Sequence, residues 1–416
     1  MVYKKYIVPG VFLKVSGGVF VCLIYNYYYG GGDTTTYFAC SNAIANIIIN
    51  EPLAGFEILF SPAGNFPREY HQLMSQFPYV SSEETYMIIR LATILQLFAF
   101  NSFLLTSALF GYLSFWALFQ LYILFVKIYP ELYKPLAYTI LFIPSVLAWG
   151  SGIFKDTVTL SSLCLFVVAF YTILIEKRIS ISHFLIAGIA IFLLLLIKVY
   201  ILIAIVPPLL FLKLKDVQQH IKSKALLFFS TPILICVIAS LALYAVQGLG
   251  NLSHRQLYSV ENILEKSKVQ REYLYGISKQ TNGSGYTLGQ FDNTLGGLIA
   301  GFPAAVNATF FRPYLWESNN VIMFMSALES FAFLLITIYC LTKYGFLRSF
   351  KIIQNEHFVF FCLIFALTFG FFVGISTYNF GSLVRYKIPA LPFFLSAMII
   401  IYYKKKVLFQ KTEIAT

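Results

Sequence analysis

Four long apolar runs, residues 10–28, 226–246, 321–343 and 357–376, are each able to carry a helix across the roughly 30 Å of hydrocarbon in a bilayer. A chain with several such runs has few folds open to it. Lipid offers no partner for backbone N–H and C=O groups, so a spanning segment is either a helix or a strand of a closed barrel. Barrel strands alternate apolar with polar residues, whereas these runs are continuous. The expected fold is therefore an all-α polytopic transmembrane helix bundle. Composition agrees, because only 12% of residues are charged against about 25% in soluble domains.

The remaining spans follow from where the apolar sequence is interrupted. Residues 100–126, 136–151 and 158–175 are separated by Lys127 to Lys134 and by Gly150-Ser151-Gly152-Ile153-Phe154-Lys155-Asp156. Residues 183–212 are too long for one crossing and carry Lys198 in the middle, with Pro207-Pro208 near the end; they read as two short spans hinged at Lys198-Val199-Tyr200. A last span, 388–403, is expected to stop at Lys404-Lys405-Lys406. This gives about ten spans, with both termini on one side and the chain read as a single membrane domain, 1–416.

Loop charge supports that topology. Basic residues collect in the loops that it assigns to the cytoplasm, among them Lys4, Lys5, Lys127, Lys134, Lys177, Arg178, Lys213, Lys215, Lys343, Arg348, Lys351 and Lys404 to Lys406. With their acidic neighbours these loops hold the chain's whole net charge of +12, leaving the outer side neutral. This is the asymmetry of the positive-inside rule, so the basic pI reflects membrane orientation and no nucleic-acid partner is expected. Five of the six cysteines fall within spans and only Cys40 lies outside, so a disulfide framework is not expected. The first span follows basic residues, as in a signal peptide, but no small-residue cleavage site follows it, and it reads as retained.

Two outer segments, about 29–99 and 247–320, are longer than a connection requires, and long ordered loops usually carry function. In the first, Ala39 to Ile49 and Tyr86 to Phe98 read as amphipathic helices in the membrane interface, with Pro52, Pro62 and Pro67 breaking the chain between them. In the second, a helix is expected over 258–275. The first loop opens on Tyr27-Tyr28-Tyr29-Gly30-Gly31-Gly32-Asp33, tyrosines suited to the interface followed by a bend that carries one carboxylate.

Asp33, Lys155, Asp156, Lys198, Arg312, Arg385 and Lys387 all fall near span ends on the outer side in this topology, while Lys14 and Glu329 lie inside spans. Charges at membrane depth tend to face a protein cavity. The ordinary alternatives are that Arg312 and Lys387 meet lipid head groups and that Lys155 pairs with Asp156. A carboxylate such as Asp33 suits a general base, and several cations suit a phosphate leaving group. Together they point to phosphate-linked group transfer. A divalent cation held by Asp33 and Asp156 is the one metal site left open, and no required cofactor is expected. No P-loop, GxSxG elbow or HExxH occurs, and His254 reads as a surface histidine.

With these residues the chain resembles the GT-C class of integral-membrane glycosyltransferases. The resemblance rests on a first span followed by Gly31-Gly32-Asp33 and a long outer loop, and on the span end Pro144 to Asp156. It rests also on Phe311-Arg312-Pro313-Tyr314-Leu315-Trp316-Glu317 and Leu383-Val384-Arg385-Tyr386-Lys387-Ile388-Pro389. It implies that Asp33 is the catalytic base or acceptor-binding group and that Asp156 shapes the site. It further implies that the loops carrying Arg312 and Arg385-Tyr386 contact the substrate's lipid phosphate, and Lys155 and Lys198 are expected to help stabilise that phosphate as it leaves. The implied donor is a polyprenyl-phosphate-linked sugar, with a glycan, lipid or protein acceptor, in the bacterial inner membrane with the active site on the periplasmic side. Compared with such enzymes, the chain is expected to do without the large C-terminal soluble domain that many of them carry. Two alternatives stay open: an O-antigen-type polysaccharide polymerase or ligase, and a lipid-linked glycan transporter or flippase. Transport favours inverted repeats and polar groups at mid-membrane.

Overall fold

Apolar runs in this chain fold as helices throughout the described part, and no strand forms among the described residues beyond one isolated bridge between Gly285 and Asn379. The computed structural model describes residues 2–218, 269, 272, 273, 276, 285–289 and 295–415. The span expected at 226–246, most of the helix expected over 258–275, and His254 lie outside the described residues. Six helices among the described residues are long and apolar enough to cross a membrane: Tyr3–Tyr28, Phe103–Ile128, Lys155–Ile175, Ile181–Lys215, Val321–Thr342 and His357–Thr377. A seventh results if Phe380–Tyr386 and Leu391–Lys411, bent by 68°, form one broken span. The protein is thus a multi-pass helical membrane protein. Its chain divides into two compact units, Met1–Val199 and Tyr200–Thr416.

In the first unit, α1 (Ile7–Leu23) lies against α6 (Phe103–Ile128) and α8 (Pro144–Trp149) at backbone contact distance. A Cβ on Gly18 would stand 2.6 Å from the Ser107 carbonyl oxygen, and one on Gly17 would stand 2.0 Å from that of Leu147. Small residues at such crossings give membrane helices their close approach, since burial from lipid supplies no hydrophobic drive.

The stretch read as a span at 136–151 is instead two short helices, α7 (Tyr133–Ile140) and α8. Pro144 supplies the reason: it donates no N–H, and it pushes Ile143 to extended backbone with ψ 122°. The broken backbone is satisfied by side chains. Lys14 Nζ donates to the Val146 carbonyl (2.6 Å), Ser151 Oγ to Leu147 (2.5 Å), Ser114 Oγ to Gly150 (2.8 Å) and Thr157 Oγ1 to Gly152 (2.7 Å). Lys14 is accordingly buried as a carbonyl partner. This is how non-helical backbone is tolerated away from water.

The segment between α1 and α6 holds α2 (Asp33–Asn50), α3 (Pro52–Phe60), α4 (Arg68–Met74) and α5 (Glu83–Phe98). Two of its helices cover the stretches read as amphipathic, and Pro52 opens α3 where a missing N–H costs nothing. Their main apolar faces are turned toward each other. Tyr37, Cys40, Ile44 and Ile48 of α2 share a core with Tyr86, Ile89 and Ala92 of α5, and that core includes Ile153, Val158 and Ile197. Leu53, Phe60, Phe98 and Phe100 stay exposed. The α3 C-terminus is capped from α5: Tyr86 Oη donates to the Ile58 carbonyl (2.6 Å), and the Arg90 guanidinium donates to Leu59 (2.9 Å), Ser61 (2.7 Å) and the Glu83 carboxylate (2.8 Å).

Burial alone would push the Glu83 carboxyl up; the Ala63 N–H and Arg90 more than offset it and hold the carboxyl below its ordinary value. A carboxyl depressed on folding stabilises fully above its unfolded pKa, and that contribution is lost as pH falls through the folded value. We expect this corner to loosen only in acid below the ordinary carboxylate range. Pepsin cleavage between Ser61 and Pro67 should begin there, and Glu83→Gln should remove the pH dependence.

Beyond α9 (Lys155–Phe170) the chain enters α10 (Ile181–Gln218), where Lys198 is non-helical (φ −148°, ψ 75°). The hinge expected at this residue is present.

The second unit contains α11 (Leu295–Phe311), α12 (Val321–Thr342), α13 (Phe346–Asn355), α14 (His357–Thr377), α15 (Phe380–Tyr386) and α16 (Leu391–Ala415). Glycines again bring backbones together: a Cβ on Gly374 would stand 2.2 Å from the Ala305 carbonyl oxygen. Thr309 Oγ1 donates to the Gly370 carbonyl at 2.6 Å. The apolar run of the last expected span ends at Lys404-Lys405-Lys406, and α16 runs on through them as helix. Lysine ends an apolar run without ending a helix, because its propensity is high. Lys405 is buried and donates to the Leu341 carbonyl at 2.9 Å.

Candidate functional site

In the first unit α1 leaves its span through one wide turn, Ile24–Tyr28, and then bends. Gly30, Gly31 and Gly32 have φ of 67°, 135° and 143°, a left-handed run that side chains rarely adopt. The bend is tied to its helix, since Gly32 N–H donates to Thr35 Oγ1 (2.9 Å) and Thr36 Oγ1 donates to the Gly32 carbonyl (3.0 Å). Asp33 therefore opens α2, half-buried, where the positive end of the helix dipole favours a carboxylate. Tyr79 Oη donates to Asp33 Oδ1 at 2.7 Å, and the Tyr79 ring lies 5.0 Å from that of Tyr37. Both constraints at Gly32 act together: its φ is 143°, and a Cβ would stand 2.7 Å from the Tyr25 ring. Gly32→Ala should cost about 1–3 kcal/mol, measured as thermal unfolding of the purified protein; an unchanged midpoint would show that the bend is not fixed.

Tyr25 connects this bend to the second motif, because its ring lies 5.4 Å from that of Phe154. Phe154 caps α9, whose first turn carries Lys155 and Asp156. Asp156 is 1% exposed and forms an ion pair with Lys198, whose side chain is 10% exposed. The break in α10 thus falls on the residue that reaches Asp156. Lys155 does not pair with its neighbour but with Glu84 of α5, at 3.4 Å, in a more exposed contact. In one unit, then, Asp33, Lys155, Asp156 and Lys198 all border the core shared by α2 and α5.

In the second unit Arg312 sits in its own motif. Its Nε donates to both Glu317 oxygens at 3.1 Å, and Glu317 Oε2 accepts the Tyr314 N–H at 2.8 Å. The guanidinium lies over the rings of Tyr286 (5.0 Å), Phe380 (5.1 Å) and Tyr314 (5.8 Å). Burial pushes the Tyr286 phenol up, keeping it a donor to the Gly374 carbonyl at 3.1 Å. Arg312 is therefore enclosed by protein. Lys387, weighed from sequence as a head-group contact, is fully buried and donates to Ser330 Oγ at 2.9 Å. Arg385 and Tyr386 end α15, both half-buried.

Asp156 answers to an ammonium, and among the described residues no three of His, Cys, Asp and Glu gather as a metal site. The arrangement is thus a poor fit to a cation shared by Asp33 and Asp156. Cys40 is buried and its thiol is pushed up to about 12 by that burial, which leaves it without thiolate character. Tyr79, Glu84 and Glu317 are site neighbours that sequence reasoning missed. Glu317 alone carried a signal, as the acid five residues beyond Arg312. Comparison with protein-family models, curated proteins and solved structures gives no match.

Proposed function

We propose that this protein is a glycosyltransferase of GT-C type. It moves a sugar from a polyprenyl-phosphate donor to a glycan, lipid or protein acceptor at the outer face of a bacterial inner membrane. The observation that carries the reading is Asp33: a half-buried carboxylate at a helix N-terminus, held by Tyr79 on a glycine bend at the end of the first span. Its role is to take the proton of the acceptor hydroxyl as that oxygen bonds to the anomeric carbon. The bond from that carbon to phosphate oxygen breaks, and the lipid phosphate leaves with the electron pair.

Lys155 is the cation of the first unit suited to that phosphate, since its ion pair with Glu84 is long and open to water. Lys198 is committed to Asp156 and Arg312 to Glu317, so both act by holding their segments. For Arg385 and Tyr386, at the end of α15 in the second unit, a phosphate-binding role rests on the GT-C resemblance alone. Purified protein supplied with polyprenyl-phosphate sugars and envelope acceptors should release free lipid phosphate together with a glycosylated product. Lipid-linked glycan flux in proteoliposomes without any transfer would overturn the reading in favour of a flippase, and products of many lengths would reassign it to a polymerase.

A further inference from the structure

The helix α13 joins two membrane-capable helices and is too short, at ten residues, to cross. The chain turns into it through Tyr344 (φ 61°) and Gly345 (φ 99°) directly after α12 ends. At 100° per residue, its sequence Phe-Leu-Arg-Ser-Phe-Lys-Ile-Ile-Gln-Asn divides into three arcs. Ser349 and Ile352 are buried within the second unit. Phe346, Phe350 and Leu347 are 51%, 52% and 76% exposed and form a second arc, which also holds Gln354. Lys351 and Arg348 form the third, beside the apolar arc, and Lys343 precedes the turn.

No acidic residue occurs between Lys343 and Asn355, and the first one beyond, Glu356, is paired with Lys404 at 2.8 Å. Arg348 lies over the Phe409 ring at 5.6 Å and donates to the Tyr344 carbonyl at 3.3 Å, neither of which is a carboxylate. An exposed arc of two phenylalanines and a leucine is costly in water and favourable in acyl chains. A cationic arc beside it, at the end of a span, matches a negatively charged head-group layer.

We propose that α13 is an in-plane helix that binds anionic phospholipid, with Phe346, Leu347 and Phe350 among the acyl chains and Lys343, Arg348 and Lys351 on head-group phosphate. This holds whatever the protein catalyses. The full chain with Leu347→Trp, in nanodiscs, reads the contact as quenching by bromine-labelled acyl chains, taken as the difference from the parent chain with its own three tryptophans. Bromine is carried either by a minor fraction of phosphatidylglycerol or by the same fraction of phosphatidylcholine. A cation at an anionic surface favours contact by up to about fivefold, so after screening we expect brominated phosphatidylglycerol to quench at least about twofold more. K343Q/R348Q/K351Q should make the two lipids equal. Equal quenching in the parent background would overturn head-group recognition. Absence of quenching by either lipid, repeated with Phe350→Trp, would show that a second copy or another protein covers the arc and would overturn the proposal.

Discussion

Asp33→Asn should lower transfer by about 10²–10⁴-fold, the usual contribution of a positioned general base. The substitution keeps size and one carbonyl acceptor, so the Tyr79 hydrogen bond at 2.7 Å can persist while proton acceptance is lost. Acceptor binding and the apolar core around Tyr37 should stay intact, so the loss should appear in kcat more than in KM. Tyr79→Phe serves as the graded comparison. It removes one hydrogen bond to a charged group, worth about 1.5–3 kcal/mol, and should cost roughly ten- to a hundredfold by loosening Asp33. Wild-type-like transfer by Asp33→Asn would remove the general-base role altogether. A large loss in Tyr79→Phe beside a small one in Asp33→Asn would move the chemistry to Tyr79.

The second large effect is on stability. Asp156→Asn leaves the Lys198 ammonium buried without its counter-charge, and breaking one side of a buried pair typically costs about 3–5 kcal/mol. Lys198→Met should cost a similar amount, because Asp156 is 1% exposed. The double variant Asp156→Asn/Lys198→Met removes both charges together and should recover most of the loss, giving a strong coupling energy in the double-mutant cycle. Thermal unfolding of purified protein measures all three. Additive losses in the double variant would mean that the two groups act separately, and Lys198 would return as a phosphate ligand.

The sequence reading separates cleanly into what is local and what is not. The glycine bend before Asp33 and the helices on either side of Pro52 are legible from nearby backbone chemistry, and the Lys198 break from a charge midway along an apolar run too long for one crossing. The stretch 136–151 departs from a single span because apolarity signals burial, and burial is satisfied as well by two short helices, with carbonyls of the second helix and of the turn after it met by Lys14, Ser114 and Thr157. At Lys404 the apolar run ends but the helix does not: charge marks polarity, while α16 continues and buries Lys405. At the site, the residue types were legible and their partners were not. The ordinary alternative for Lys155, a pair with Asp156 next to it, is replaced by a contact with Glu84.

By itself the sequence determined that the chain is helical and membrane-spanning, because lipid forces each segment to satisfy its own backbone, a condition that a run of twenty residues either meets or fails. It also placed a carboxylate on a glycine-rich bend at the end of the first span. Only the tertiary structure decided what each charge does. Tyr79 is 46 residues from Asp33, Lys198 is 42 from Asp156, and Lys14 is 132 from the carbonyl that it meets. A buried charge takes whichever partner packing brings within reach, so its role is set by contacts that no local pattern encodes.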